Sequence, residues 1–155
     1  MFYPAASVQR WLLSWYTHHV ERIISILTLA FLIGCQAPLP DISKATSRYP
    51  FDLHTATSLQ IQVMRDEEFL IIVNSTANEF DHTNLWINQQ YTQPIPPIPA
   101  GATLRVNLWD CYDLLGDQFN AGGFWRTDEP TALVIAELQL SESQPLVGLL
   151  VIGVE

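Results

Sequence analysis

From residue 58 onward the hydrophobic positions of this chain recur every second residue, and that period limits the folds open to it. Leu59, Ile61 and Val63 alternate with Gln60, Gln62 and Met64, the pattern of a strand with one face on a core and the other towards water. Asp66-Glu67-Glu68 supplies a polar turn, and Phe69-Leu70-Ile71-Ile72-Val73 reads as a more deeply buried strand that completes a hairpin. Residues 84–88, centred on Leu85, Trp86 and Ile87, and residues 91–95 read as two more strands on either side of Asn88-Gln89-Gln90. Pro94, Pro96, Pro97 and Pro99 remove ladder donors, which places that segment at a sheet edge or in a crossover. A fifth strand covers 103–109, residues 110–131 are irregular, and two long strands over 132–140 and 146–154 close the chain. Seven short strands with turn signals between them and no helical period predict an all-β, immunoglobulin-like or fibronectin-III-like sandwich. A small barrel is the alternative. The cysteine and tryptophan pair that marks a true immunoglobulin domain is absent.

Ahead of the strands lies a different kind of sequence. Residues 36–57, with Pro38, Pro40 and Pro50, show no usable period and read as a tether. The apolar run 23–34 precedes Cys35 and is shorter than the roughly 18 residues that a spanning helix needs. It ends in Leu32-Ile33-Gly34-Cys35, which resembles a bacterial lipobox, the site at which a signal peptide is cut and the cysteine acylated. The resemblance implies a helical signal segment over 1–34, a lipidated tether over 35–57 and a strand domain over 58–155. It also implies attachment to a membrane of the cell envelope, facing periplasm or exterior, through the acyl chains on Cys35, since two or more chains anchor stably where one is marginal. An uncleaved anchor is the alternative, and it would have to bury the charged cluster at His18, His19, Glu21 and Arg22 in lipid. A second resemblance rests on Val73-Asn74-Ser75, Phe80-Asp81-His82-Thr83-Asn84-Leu85, Asn88-Gln89-Gln90-Tyr91, Ile98-Pro99-Ala100-Gly101 and the stretch 116–119. It is similar to small bacterial envelope lipoproteins, a family that brings no activity with it.

Charge narrows the partners. The chain has 7 basic against 16 acidic residues and a net charge of −9, so a phosphate-binding surface and hence a nucleic-acid partner are disfavoured. Attachment to a membrane would rest on acyl chains, not on charge. With Cys35 acylated, Cys111 is a lone thiol, and a buried apolar role outweighs a reactive one.

Chemistry-bearing motifs are sparse: GxSxG, HExxH, CxxC and phosphate-cradling glycine loops are all missing. No catalytic residue, cofactor or metal ligand is assigned on this reading. The rival is a hydrolase or metal-dependent enzyme that uses Asp81 with His82, or the aspartates of 110–117; EF-hand spacing is not met there, and aspartates also build turns. His54 is the other imaginable base. Asn74-Ser75-Thr76 resembles a glycosylation sequon and reads as loop chemistry. Trp86 and Trp109 sit within strands and read as core, whereas Tyr112, Phe124 and Trp125 fall in the irregular stretch and are the candidates for binding a glycan, peptide or envelope protein. A non-enzymatic envelope binding or assembly module is the expectation.

The last strand poses a separate question, because both faces of 146–154 are apolar. One face is expected in the core, and the other beneath the 38–53 stretch, the aromatic loop or a partner.

Overall fold

The hydrophobic alternation becomes strands β1 (Ser58–Asp66), β2 (Phe69–Asn74), β3 (Thr83–Ile87), β4 (Tyr91–Ile95), β5 (Thr103–Asn107), β6 (Ala136–Gln139) and β7 (Val147–Ile152). The computed structural model describes residues 39–123 and 128–153. The signal segment expected over 1–34, Cys35, Phe124 and Trp125 lie outside those residues. Among the described residues no helix is long and apolar enough to cross a membrane.

Local chemistry accounts for most of the boundaries. Glu67 takes a positive φ of 53° in the β1–β2 turn, and Asn88 and Gln89 take 53° and 58° in the β3–β4 turn. There Gln90 N donates to Ile87 O at 3.1 Å, a turn whose twist suits a hairpin. The fifth strand stops at Asn107, two residues short of the expected end, because the Asn107 side chain accepts from Trp109 N at 3.0 Å and starts a short 3-10 turn. The sixth strand covers four residues where 132–140 was expected. Asn88 bonds Ala132 O, Val134 N and Ile135 N through its side chain, at 2.7, 2.9 and 3.2 Å, which takes the place of strand pairing.

All seven strands join one sheet in the order β4-β3-β6-β7-β1-β2-β5. The β1–β7 pair is parallel and the others are antiparallel. The sheet curls until its edges approach: Gln93 Nε2 on β4 donates to Asn107 O on β5 at 3.1 Å, and Thr92 bridges to Tyr112 just past β5. The result is mostly β and barrel-like, a seven-stranded continuous sheet that is compatible with the expected sandwich and with its small-barrel alternative. Its interior is filled by Ile61, Val63, Leu70, Ile72, Leu85, Ile87, Val106, Leu138 and Leu149, with Phe119 and Cys111 closing it from the irregular stretch.

Opposite parity puts Trp86, Glu137 and Leu146 on the outside of the sheet, yet all three are buried. Residues 39–57, expected as tether, supply the cover. Tyr49 and Leu53 pack on Trp86 and Leu146, Tyr49 meets Trp86 edge-on at 5.3 Å, and Leu146 N donates to Leu53 O at 2.8 Å. Gly148 passes under the same strap, where a Cβ would lie 2.8 Å from Thr57 O. Such contacts use one ring and backbone groups, so they leave no period in the sequence. Leu149 faces the core as expected of one side of β7, while Leu150 and Ile152 on the other side remain 42% and 39% exposed beyond the strap.

Cys111 is fully buried, and burial, aided by Asp110, pushes its thiol up to about 12. A thiol whose folded value lies above its ordinary 9.0 supports the fold fully below that pH and less as pH rises towards 12. Denaturant midpoints should therefore fall as pH climbs above 9, and Cys111→Ala should move the onset of that decline upward. An unchanged alkaline profile would place the thiol in contact with water.

Candidate binding surface

Arg65 continues the inward face of β1 after Ile61 and Val63, so a cation arrives at the mouth of the barrel. Each of its three nitrogens donates to a carbonyl: Nε to Glu67 O at 2.9 Å, and the two terminal nitrogens to Thr131 O at 2.6 Å and Ala121 O at 2.7 Å. The guanidinium also stands 5.9 Å from the Phe119 ring centroid. Arg65 thus ties to β1 the two stems, at Ala121 and Thr131, that flank Phe124 and Trp125 in sequence. The stems are tied to each other as well, by Thr131 N to Asn120 O at 2.9 Å and Asn120 Nδ2 to Glu129 O at 3.0 Å. Gly122 fits there at φ 79°, where a Cβ would sit 2.7 Å from the Pro130 ring.

Beside these stems opens a cleft of about 990 Å³, within the range of small-molecule sites. Leu133, Val151, Ile152 and Pro130 give it an apolar wall, and Glu67, Glu68 and Glu129 give it an acidic rim. Glu68 accepts from Trp109 Nε1 at 3.2 Å, and Glu67 and Glu129 are exposed. Gly123, the residue before Phe124, lines the cleft.

Tyr112 is placed elsewhere. It is half-buried; its hydroxyl accepts from Gln118 Nε2 at 3.2 Å, and Lys44 Nζ stands 5.5 Å from its ring centroid. The neighbouring Asp113 spends its carboxylate on the turn: Oδ1 accepts from Leu115 N at 2.8 Å and Asp117 N at 2.9 Å, and Oδ2 from Gln90 Nε2 at 3.2 Å. Burial alone would raise this carboxyl, but those hydrogen bonds outweigh it and hold it below the ordinary carboxylate value. Among the described residues no group of three acidic, histidine or cysteine side chains is placed to hold a metal.

The two imidazoles of the described residues, His54 and His82, sit at opposite ends of β3. Asp81 and His82 line a recess of about 480 Å³ with Glu79 and Phe80 before Thr83, and Glu79, Asp81 and His82 are all exposed. His54 lies by Gln89, beyond Ile87, with Nδ1 at 2.8 Å from Glu137 Oε1. Glu137 Oε2 accepts from Tyr49 O–H at 2.5 Å, so both oxygens of a carboxyl that is 1% exposed are used. Sequence reading missed this cluster. Its one signal was an acidic residue inside the apolar run Ala132-Leu133-Val134-Ile135-Ala136-Glu137-Leu138. Asn74 was legible: it is buried, its Nδ2 reaches Asn78 O, Ile98 O and Pro99 O, and its Oδ1 takes the amide and hydroxyl of Thr76.

Burial, with Glu137 as acceptor and neighbour, raises the Tyr49 phenol well above its ordinary value. The phenol is thus a fixed donor at neutral pH. Tyr49→Phe leaves a buried carboxylate oxygen without its donor and should cost about 1.5–3 kcal/mol in denaturant unfolding. A loss under about 0.5 kcal/mol, the scale of ordinary surface changes, would mean that the strap is held by packing alone.

The chain matches no family model, no curated protein sequence and no solved structure.

Proposed function

We propose that this chain is an acylated lipoprotein of the bacterial cell envelope whose barrel-like domain is a non-enzymatic binding module, with the cleft beside Arg65 as its ligand-accepting surface. The observation that carries the reading is the cleft itself. It combines an apolar wall with exposed carboxylates at Glu67 and Glu129, and Gly123, which lines it, precedes in sequence the aromatic residues Phe124 and Trp125 that suit recognition. That chemistry favours a ligand with an apolar body and a cationic or hydrogen-bond-donating head, such as a basic peptide segment of an envelope protein or an amino sugar. Kinship with immunoglobulin-like or fibronectin-III-like domains belongs to the same proposal and draws on the seven strands. Location rests on the lipobox resemblance at Leu32-Ile33-Gly34-Cys35.

Two measurements test the two halves. Cys35→Ser should abolish acylation and leave the precursor uncut, whereas intact-mass analysis showing an unmodified Cys35 on the processed chain would end the lipoprotein reading. For the cleft, calorimetry should show dodecyltrimethylammonium binding below its micellar concentration and dodecyl sulfate binding far more weakly, and Ile152→Lys should weaken the former. Equal binding of both amphiphiles, unaffected by Ile152→Lys, would remove the cleft as the binding surface.

A further inference from the structure

Four of the most exposed large hydrophobic side chains of the described residues gather at one place. Leu39 and Ile42 are 86% and 83% exposed, and Leu114 and Leu115 are 44% and 64% exposed. The two short segments that carry them are fixed to each other: Asp41 N donates to Gly116 O at 3.0 Å, and Thr46 N to Asp113 O at 2.9 Å. Gly116 makes the contact feasible, since at φ 82° a Cβ would come within 2.1 Å of Asp41 O. Asp41 Oδ1 caps the first segment by accepting from Ser43 N at 3.0 Å, and the Asp113 carboxylate fixes the second. These are therefore rigid protrusions whose apolar tips have no cover among the described residues. Lys44, beside the Tyr112 ring, flanks them with a long stem and a charged end.

Chain length supplies the occupant. Only Gln36, Ala37 and Pro38 separate Cys35 from Leu39, and four extended residue steps reach about 14 Å at most. If Cys35 is acylated, which is the proposed-function reading on which this inference rests, its sulfur sits at the lipid interface. Leu39 is then held within about 14 Å of that sulfur, close enough to reach a headgroup layer about 5–8 Å deep in each leaflet. We propose that Leu39, Ile42, Leu114 and Leu115 are a lipid-facing seat: they enter the interfacial layer of the bilayer, so the domain rests on the membrane that anchors it. The acidic balance of the chain and the presence of Asp41 and Asp117 at the seat fit a neutral, zwitterionic surface better than an anionic one.

The test uses the full acylated chain in phosphatidylcholine vesicles. An environment-sensitive fluorophore is attached at Leu115→Cys and, in a second sample, at Leu140→Cys, which is exposed at the opposite end of β3; the buried Cys111 thiol is shielded from labelling. The inference expects the label at 115 to shift to shorter wavelength and lose severalfold in iodide quenching, while the label at 140 stays aqueous. If intact mass shows acylated Cys35 and the label at 115 quenches like the one at 140, the seat is wrong and the lipoprotein reading stands. An unmodified Cys35 would overturn the anchor and, with it, the seat. Shielding that grows with the protein-to-lipid ratio would assign the patch to a second copy of the chain and overturn the lipid assignment.

Discussion

A single buried carboxyl group decides how much of this chain is domain. Glu137 projects from the outside of β6, where a charge would ordinarily meet water, and the strap over 39–57 removes that water. The carboxyl is tolerated because Tyr49 O–H and His54 Nδ1 take its two oxygens. Burying such a group without both partners costs several kcal/mol. The dependence runs in both directions: the strap satisfies Glu137, and Glu137 gives a stretch without hydrophobic period a fixed place to bind. Tyr49, Leu53, Trp86 and Leu146 then add an apolar contact on the outer face that separates the strap from a mere linker.

Two consequences follow for the surface. Because the strap covers only one end of β7, Leu146 and Gly148 are sealed while Leu150 and Ile152 are left exposed, and Ile152 becomes part of the cleft wall. The strap and the 113–117 turn are bonded to each other at Asp41 and Thr46, a few residues after Cys35 in sequence. The sequence pattern suggested a tether over 35–57; the hydrogen bonds at Asp41 and Thr46 fix that part of it to the 113–117 turn. Anchor, strap and apolar tips are thus parts of one arrangement if Cys35 carries lipid.

The legible part of the fold is the part made by side-chain period. β1 to β4 came out of alternation and turn chemistry within a residue or so, and Trp86 is buried as expected, but under the strap on the outer face and not in the barrel interior. Asn74 was legible because an asparagine two residues before a threonine bonds its own loop. What escaped was made by partners distant in sequence. Asn88 replaces the expected strand pairing of 132–135, and no local pattern announces that an asparagine in a turn will bond a segment more than forty residues on. Closure of the sheet by Gln93 and Asn107, and the parallel pairing of β1 with β7, belong to the same class, which is why a small barrel stood only as the alternative to a sandwich. Arg65 was readable in principle, since the alternation of β1 places it on the inward face. Of the aromatic residues singled out for binding, Tyr112 stands apart from the cleft, packed beside Lys44 and the Asp113 turn.

The central claim is that residues 39–57 are a fixed part of the barrel. Hydrogen exchange followed by mass spectrometry on the intact protein tests it most directly, because an amide bonded within a cooperative unit opens only when that unit does. The amides of Asp41 and Thr46, which donate to Gly116 O and Asp113 O, should be protected to the same order as those of β1 and β2. Exchange of both at the rate of a free chain, with the strands still protected, would make the stretch a tether after all.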